Sequence, residues 1–209
     1  MATISEVLTK GYFDDSQTSG QVWAIGGYVG RTFLQWNKFD LNWRLVLTKH
    51  GVPYFHMREM QDPHGVYSKW YPSGEHKEEL ADFFADLARV IDESALTPFS
   101  CLVRVKDLER FNTEKKLSLQ PYALAAYGCM LLVGQLYQGQ PVELTFDHVE
   151  KVNSKLAKAQ DYADSDRYLG PDGVFDKVVT VGLPEHRTFR DIPALQAADF
   201  WTWEYRKSH

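Results

Sequence analysis

The sequence predicts an α/β fold: a mixed sheet with helices packed on it. Three observations predict it. Two strand-like runs near the N-terminus flank a short turn. Helical and strand patterns then alternate to the end of the chain. The composition, 44% hydrophobic with 24% charged residues, is that of a globular protein rather than a disordered one. A length of 209 residues suits one domain with a sizeable core. With no internal repeat and no low-complexity linker, one domain is expected over 1–209, carrying a loop insertion near 61–75.

Each element has its own local reason. "GYFDD" (11–15) and "VWAIGGYV" (22–29) read as strands joined by "SQTSG", whose Ser, Thr and Gly residues favour turns. Trp36, Phe39, Trp43 and Leu47 recur at spacings of three and four, which marks a helix with a core-facing stripe. Gly51 is its stop signal, with Lys49 and His50 in the last turn. "VPYFHMREM" begins extended and turns into loop or helix. "QDPHGVYSKWYPSGEH" is rich in Pro and Gly and reads as a long surface loop. Leu80, Phe83, Phe84, Leu87 and Ile91 mark a second amphipathic helix, and "FSCLVRV" a strand.

From Gln120 to Tyr137 the chain is dense in Ala, Leu, Tyr and Gly and nearly free of charge, as in a helix buried on most sides. "VELTFD" alternates apolar and polar residues, a strand ending at Asp147. "NSKLAKAQDYADSDRYL" is a polar helix capped by Asn153, and "KVVTVGL" a further strand. "IPALQAADFWTWEYRK" is a last helix with Pro193 in its first turn.

The formal charge of −5 argues against a broad, non-specific nucleic-acid surface, though it leaves room for a local basic groove or a metal-bridged phosphate. Cys101 and Cys129, each inside an apolar run, read as buried free thiols. "MATISEVLTK" lacks the apolar stretch of a signal peptide, and "YALAAYGCMLLVG" is too short to span a bilayer. A cytoplasmic, reducing location without membrane contact is therefore expected. No nucleophile elbow, phosphate-binding loop or Cys/His pair suggests covalent or nucleotide-fold chemistry.

The acids carry the chemical signal. Asp14 and Asp15 close the first strand and point to opposite faces, so only one can join a given cluster. Alternation does not choose between them. Asp147 shares a strand face with Glu143 and Thr145, and a solvated polar face would look the same. Asp199 shares a helix face with Leu195, Ala198 and Thr202. A carboxylate there needs a partner, whether an ion pair, a cap or a metal. Converging carboxylates about 4 Å apart repel by roughly 4 kcal/mol at an effective dielectric near 20. A hard divalent cation relieves that repulsion and takes oxygen ligands.

"YFDDSQ", "YFHMREM", "LTFDHVEK" and "IPALQAADFW", in this order over nearly the whole chain, resemble the family labelled domain of unknown function 3800. Its signatures are Asp-Glu-Ser followed by Gly near the start and Leu-Gln-x-Ala-Asp near the end. The resemblance implies an RNase H-like fold and a metal-dependent nuclease hydrolysing phosphodiester bonds of RNA or DNA with Mg²⁺ or Mn²⁺. It implies Asp14 as central ligand, Asp147 as the strand-end acid and Asp199 as the acid of the closing helix. Asp15 stands where the family often has Glu, and Gln17 where it often has Gly. Glu150, His56 and Glu59 are the candidates for a fourth ligand.

The family often has a His at position 56. Proton transfer beside a metal and simple packing under the loop are equal readings for it. Arg58, Lys69, Arg104, Lys106 and Arg110 are the candidate phosphate contacts, with Trp70 and Tyr71 as stacking surfaces. A second expectation is a non-catalytic RNase H-like module that binds nucleic acid or protein, since fold alone does not set function.

Overall fold

A computed structural model describes residues 9–18, 21–71, 76–138, 140–147, 178–181 and 188–208. The helix expected over 153–169 and Glu150 lie outside these residues. The strands are β1 (Thr9–Thr18), β2 (Val22–Gly30), β3 (Thr97–Arg104), β4 (Val142–Phe146) and β5 (Val178–Val181). The helices are α1 (Phe33–Lys49), α2 (Lys77–Glu93), α3 (Val105–Lys115), α4 (Pro121–Leu136) and α5 (Pro193–Lys207).

The five strands form one sheet in the order β3-β2-β1-β4-β5. β1, β2 and β3 make an antiparallel meander, β4 runs parallel to β1, and β5 parallel to β4. This is the mixed, helix-flanked α/β sheet that the sequence predicts.

Two cores lie on the two faces of the sheet. On one, Phe13, Ile25, Val29, Leu144 and Phe146 pack against α4. α4 buries residues all round, as its uncharged sequence requires. On the other, Tyr28 joins the Trp36, Phe39, Trp43 and Leu47 stripe of α1, Phe83 and Leu87 of α2, and Ala194 and Ala197 of α5. Gly51 ends α1 with a φ of +62°, which glycine adopts without strain. The Gly51 N–H donates to the Thr48 carbonyl and the Val52 N–H to the Leu47 carbonyl, completing a Schellman stop.

Three expectations need correction. The first strand runs on to Thr18 because β2 pairs with it along its whole length, so Asp14 and Asp15 lie within a strand rather than at its end. Val105 opens a helix, α3, instead of closing the third strand. The segment over 61–71 is not merely a surface loop. Tyr67 and Trp70 are buried, and Trp70 stacks on Phe83 with ring centroids 4.9 Å apart. Trp70 therefore serves the core and offers no face to a base, whereas Tyr71 is exposed.

Candidate acidic site

The parallel register between β1 and β4 sets the first part of the site. Phe13 pairs with Phe146, and their rings stack at 5.3 Å on the α4 face. The next residue of each strand, Asp14 and Asp147, must point to the opposite face. The Asp147 N–H donates to the Phe13 carbonyl at 2.9 Å, continuing the ladder by one step past the end of β4. Two acids thus stand side by side where one strand stops and its neighbour continues.

α5 brings the third acid. It crosses this face at Gly26, the β2 partner of Asp14. A Cβ on Gly26 would sit 2.9 Å from the Thr202 hydroxyl, so only glycine admits the helix this close. Thr202 is buried; its hydroxyl lies 2.7 Å from the Ala198 carbonyl and 3.3 Å from the Asp14 carbonyl. Asp199, three residues earlier, lies on the same side of the helix. Its Oδ2 accepts the Met57 N–H at 2.7 Å, and Asp14 Oδ1 accepts the Asp15 N–H at 2.7 Å.

The register also answers which of the paired aspartates belongs here. Asp15 pairs with Ile25, a residue of the α4-side core. Asp14 is the member on the acidic face, and Asp15 acts on it through its backbone N–H and, from the other face, its charge.

The electrostatics follow from this crowding. Burial pushes the Asp14 carboxyl well above the usual range, and Asp199, Asp147 and Asp15 push it further. Burial raises Asp199 to about 6, against the lowering effects of the Met57 N–H and the nearby His56. The carboxylates are hard oxygen donors, and the nearby like charges repel one another. Among the described residues, no group of three or more His, Cys, Asp and Glu is arranged to hold a metal ion.

His56 and Glu59 border the site. The peptide after His56 is the one that Asp199 holds, and the His56 N–H donates to the Tyr67 hydroxyl at 2.7 Å. The ring lies against Phe189, with centroids 4.5 Å apart. His56 Nδ1 is 3.2 Å from Glu59 Oε1, which also accepts from Arg190 at 2.9 Å; the Tyr54 hydroxyl donates to Oε2 at 2.5 Å. Burial alone would raise Glu59. The hydrogen bonds from Tyr54 and Arg190, with the His56 ring close by, outweigh it and hold the carboxyl below its usual value.

Two residues of this region carry no assignment from the sequence. Gln196, 1% exposed, uses both ends of its amide. Its oxygen accepts from Trp43 Nε1 and from the Phe55 N–H, both at 2.9 Å, and its nitrogen donates to the Arg190 carbonyl at 3.0 Å and the Phe189 carbonyl at 3.4 Å. It ties α1, the 54–58 segment and the 189–191 turn to the helix that carries Asp199. The signal was present, a glutamine amid Leu and Ala on a helix otherwise buried at that turn. Arg190 is the second, and nothing local distinguishes it from any surface arginine.

The proposed phosphate contacts are scattered. Arg58, Lys69, Arg104, Lys106 and Arg110 are all exposed. Lys69 donates to the His50 carbonyl and lies over the Trp70 ring. Arg104 and Arg110 line a groove of about 760 Å³ between β3, α3, α4 and the end of α5, together with Asp107 and Glu114. The acids of the site do not line that groove.

No protein-family model and no curated protein matches the chain. Among solved structures, the chain is similar to Bst-RNase HIII in complex with Mn²⁺, at 12% identity and a TM-score of 0.49. The likeness covers 97% of this chain and 54% of that one, so the chain spans about half the length of the protein it matches. Likeness at that level identifies neither a family nor an activity. Among the described residues, no helix is long and apolar enough to cross a membrane.

Proposed function

We propose that this protein is a divalent-metal-dependent nuclease, related to the domain of unknown function 3800 family, with Asp14, Asp147 and Asp199 as the ligands of Mg²⁺ or Mn²⁺. The observation that carries the reading is the convergence of three carboxylates from β1, the end of β4 and α5 on one face of the sheet, with Asp14 and Asp199 pushed upward by burial and by neighbouring carboxylates.

A bound divalent ion supplies an activated water and stabilises the charge that develops on the phosphate. The chain's own residues do the rest. Asp14 and Asp147 stand on adjacent strands, so their separation is set by the sheet rather than by loop geometry. The N–H groups of Asp15 and Met57 orient one oxygen each of Asp14 and Asp199. His56, anchored through the same backbone segment, is placed to hold or move a proton beside the site.

The test couples stability to cleavage. Thermal unfolding is followed in EDTA, Mg²⁺ and Mn²⁺ for the wild type and Asp14→Asn, and RNA, DNA and hybrid substrates are assayed with the same ions. The expected result is a higher midpoint with metal in the wild type only, and cleavage lost by at least about 10²-fold in the variant. Metals that leave the midpoint unmoved, with nucleic acid bound but uncut, would replace the nuclease by the non-catalytic binding module.

A further inference from the structure

We propose that Glu59 is a positioning residue for His56 rather than a fourth metal ligand, and that Tyr54 and Arg190 hold it in that role. The inference rests on the nuclease reading for its catalytic meaning, but its geometry stands apart from it.

A carboxylate offers about four acceptor sites. Two hydrogen bonds already occupy Glu59, from the Tyr54 hydroxyl to Oε2 and from Arg190 Nη2 to Oε1; His56 Nδ1, buried and without a hydrogen-bond partner among the described residues, stands 3.2 Å from Oε1. A carboxylate bound in this way is poorly placed to turn toward a metal beside Asp199. It is well placed to favour a proton on His56 Nδ1, as carboxylates that orient catalytic or metal-bound histidines do. That leaves Nε2 as the ring nitrogen without a proton.

The supports are themselves supported. The Arg190 guanidinium lies 4.8 Å from the Tyr54 ring centroid and 5.5 Å from that of Phe189. Phe189 meets the Tyr54 ring edge-on at 6.0 Å and the His56 ring at 4.5 Å. The carbonyls of Phe189 and Arg190 are both held by the Gln196 amide. Gln196 lies one turn before Asp199 on α5. One helix therefore sets the position of an acid of the site and, through the 189–191 turn, the pair that fixes the histidine. Planar stacking and a fork of donors are properties of arginine that lysine does not share.

The experiment reads the histidine directly. Long-range ¹H–¹⁵N correlation spectra of the full chain are recorded at about pH 8.5, where an ordinary histidine (pKa about 6.5) is neutral. The His56 signals are assigned by their loss in His56→Asn. The expected wild-type result is one tautomer with the proton on Nδ1, with or without Mg²⁺. In Glu59→Ala and in Arg190→Ala the ring is expected to average over both tautomers. A wild-type ring protonated on Nε2, or variants with the wild-type tautomer, would overturn the proposal.

Two further readouts separate this role from the alternatives. Glu59→Ala keeps the Mg²⁺-induced rise in unfolding midpoint; loss of that rise would make Glu59 a ligand and overturn the proposal. With a cleaved substrate, Glu59→Gln lowers kcat about 10- to 100-fold with KM unmoved, and a change in KM alone counts against it. A wild type that binds Mg²⁺ but cleaves nothing ends the nuclease reading, while the tautomer still decides the role of Glu59.

Discussion

Two sets of buried acid groups in this protein are built in opposite ways. Asp86 on α2 is 7% exposed, yet His50 bonds it at 2.8 Å, Lys49 at 2.6 Å and Arg89 at 3.0 Å. The His50 and Lys49 hydrogen bonds hold its carboxyl down at about 2. Asp14 and Asp199 are also partly buried, but their charged neighbours include further carboxylates, and both are pushed up. The first arrangement is complete and joins the end of α1 to α2. The second leaves a repulsion standing. Burial of an acid is thus not itself a functional signal; burial among like charges is.

The largest expected effect comes from the residue that links the two regions. Gln196→Ala leaves Trp43 Nε1, the Phe55 N–H and two turn carbonyls without their partner. Buried groups left unmet cost about 1–3 kcal/mol each before relaxation, and a net loss of about 3–4 kcal/mol in chemical denaturation is expected. A loss under about 1 kcal/mol would mean that water replaces the amide and that the clamp is dispensable.

Metal should separate the two regions most sharply. At about 100 times its dissociation constant, Mg²⁺ stabilises the wild type by about 2.7 kcal/mol through linkage. Asp86→Asn should lower the baseline stability and leave this gain intact. Asp14→Asn should remove the gain. If Asp86→Asn also removed it, the contrast between the two sets would be wrong.

The pH dependence without metal has two limbs of opposite sign. Asp199 titrates at about 6 in the folded state against about 3.9 unfolded, so the folded state binds its proton more tightly. Its contribution is fully present below pH ~4 and is lost as pH rises through ~6, by an amount of order 2 kcal/mol. Asp86 titrates at about 2 when folded. Its contribution is present above pH ~4 and is lost as pH falls toward ~2, by less than about 2 kcal/mol because Lys49 and Arg89 are well exposed. Denaturation midpoints against pH should rise and then fall across this range, and Mg²⁺ should flatten only the upper limb.

The smallest effect tests the choice within the aspartate pair. Asp15→Asn keeps the backbone N–H that bonds Asp14 and alters a side chain on the other face of the sheet. Stability should move by under about 0.5 kcal/mol, and the metal-induced rise should persist. Loss of that rise would return Asp15 to the ligand set.

Much of the framework is legible residue by residue. The Trp36, Phe39, Trp43 and Leu47 stripe is buried as its spacing requires, Gly51 stops the helix, and Pro193 opens the last one. The role of Trp70 is not legible in the same way. A tryptophan among Pro, Gly and polar residues reads as loop, and only Phe83, on a helix that follows, gives it a place in the core.

By itself the sequence determined most of the described strands and helices, though not α3 or the full reach of β1, which of their faces are apolar, and which acids were available. Those properties depend on near neighbours and on the periods of 2 and 3.6 residues. Tertiary structure alone decided that Asp14 rather than Asp15 meets Asp147, that Gly26 admits the helix carrying Asp199, and that Gln196 ties three segments together. Each of these depends on pairing between residues far apart in the chain, such as Phe13 with Phe146. Local periodicity says that a strand will pair but not with which register, and one step of register exchanges the two faces.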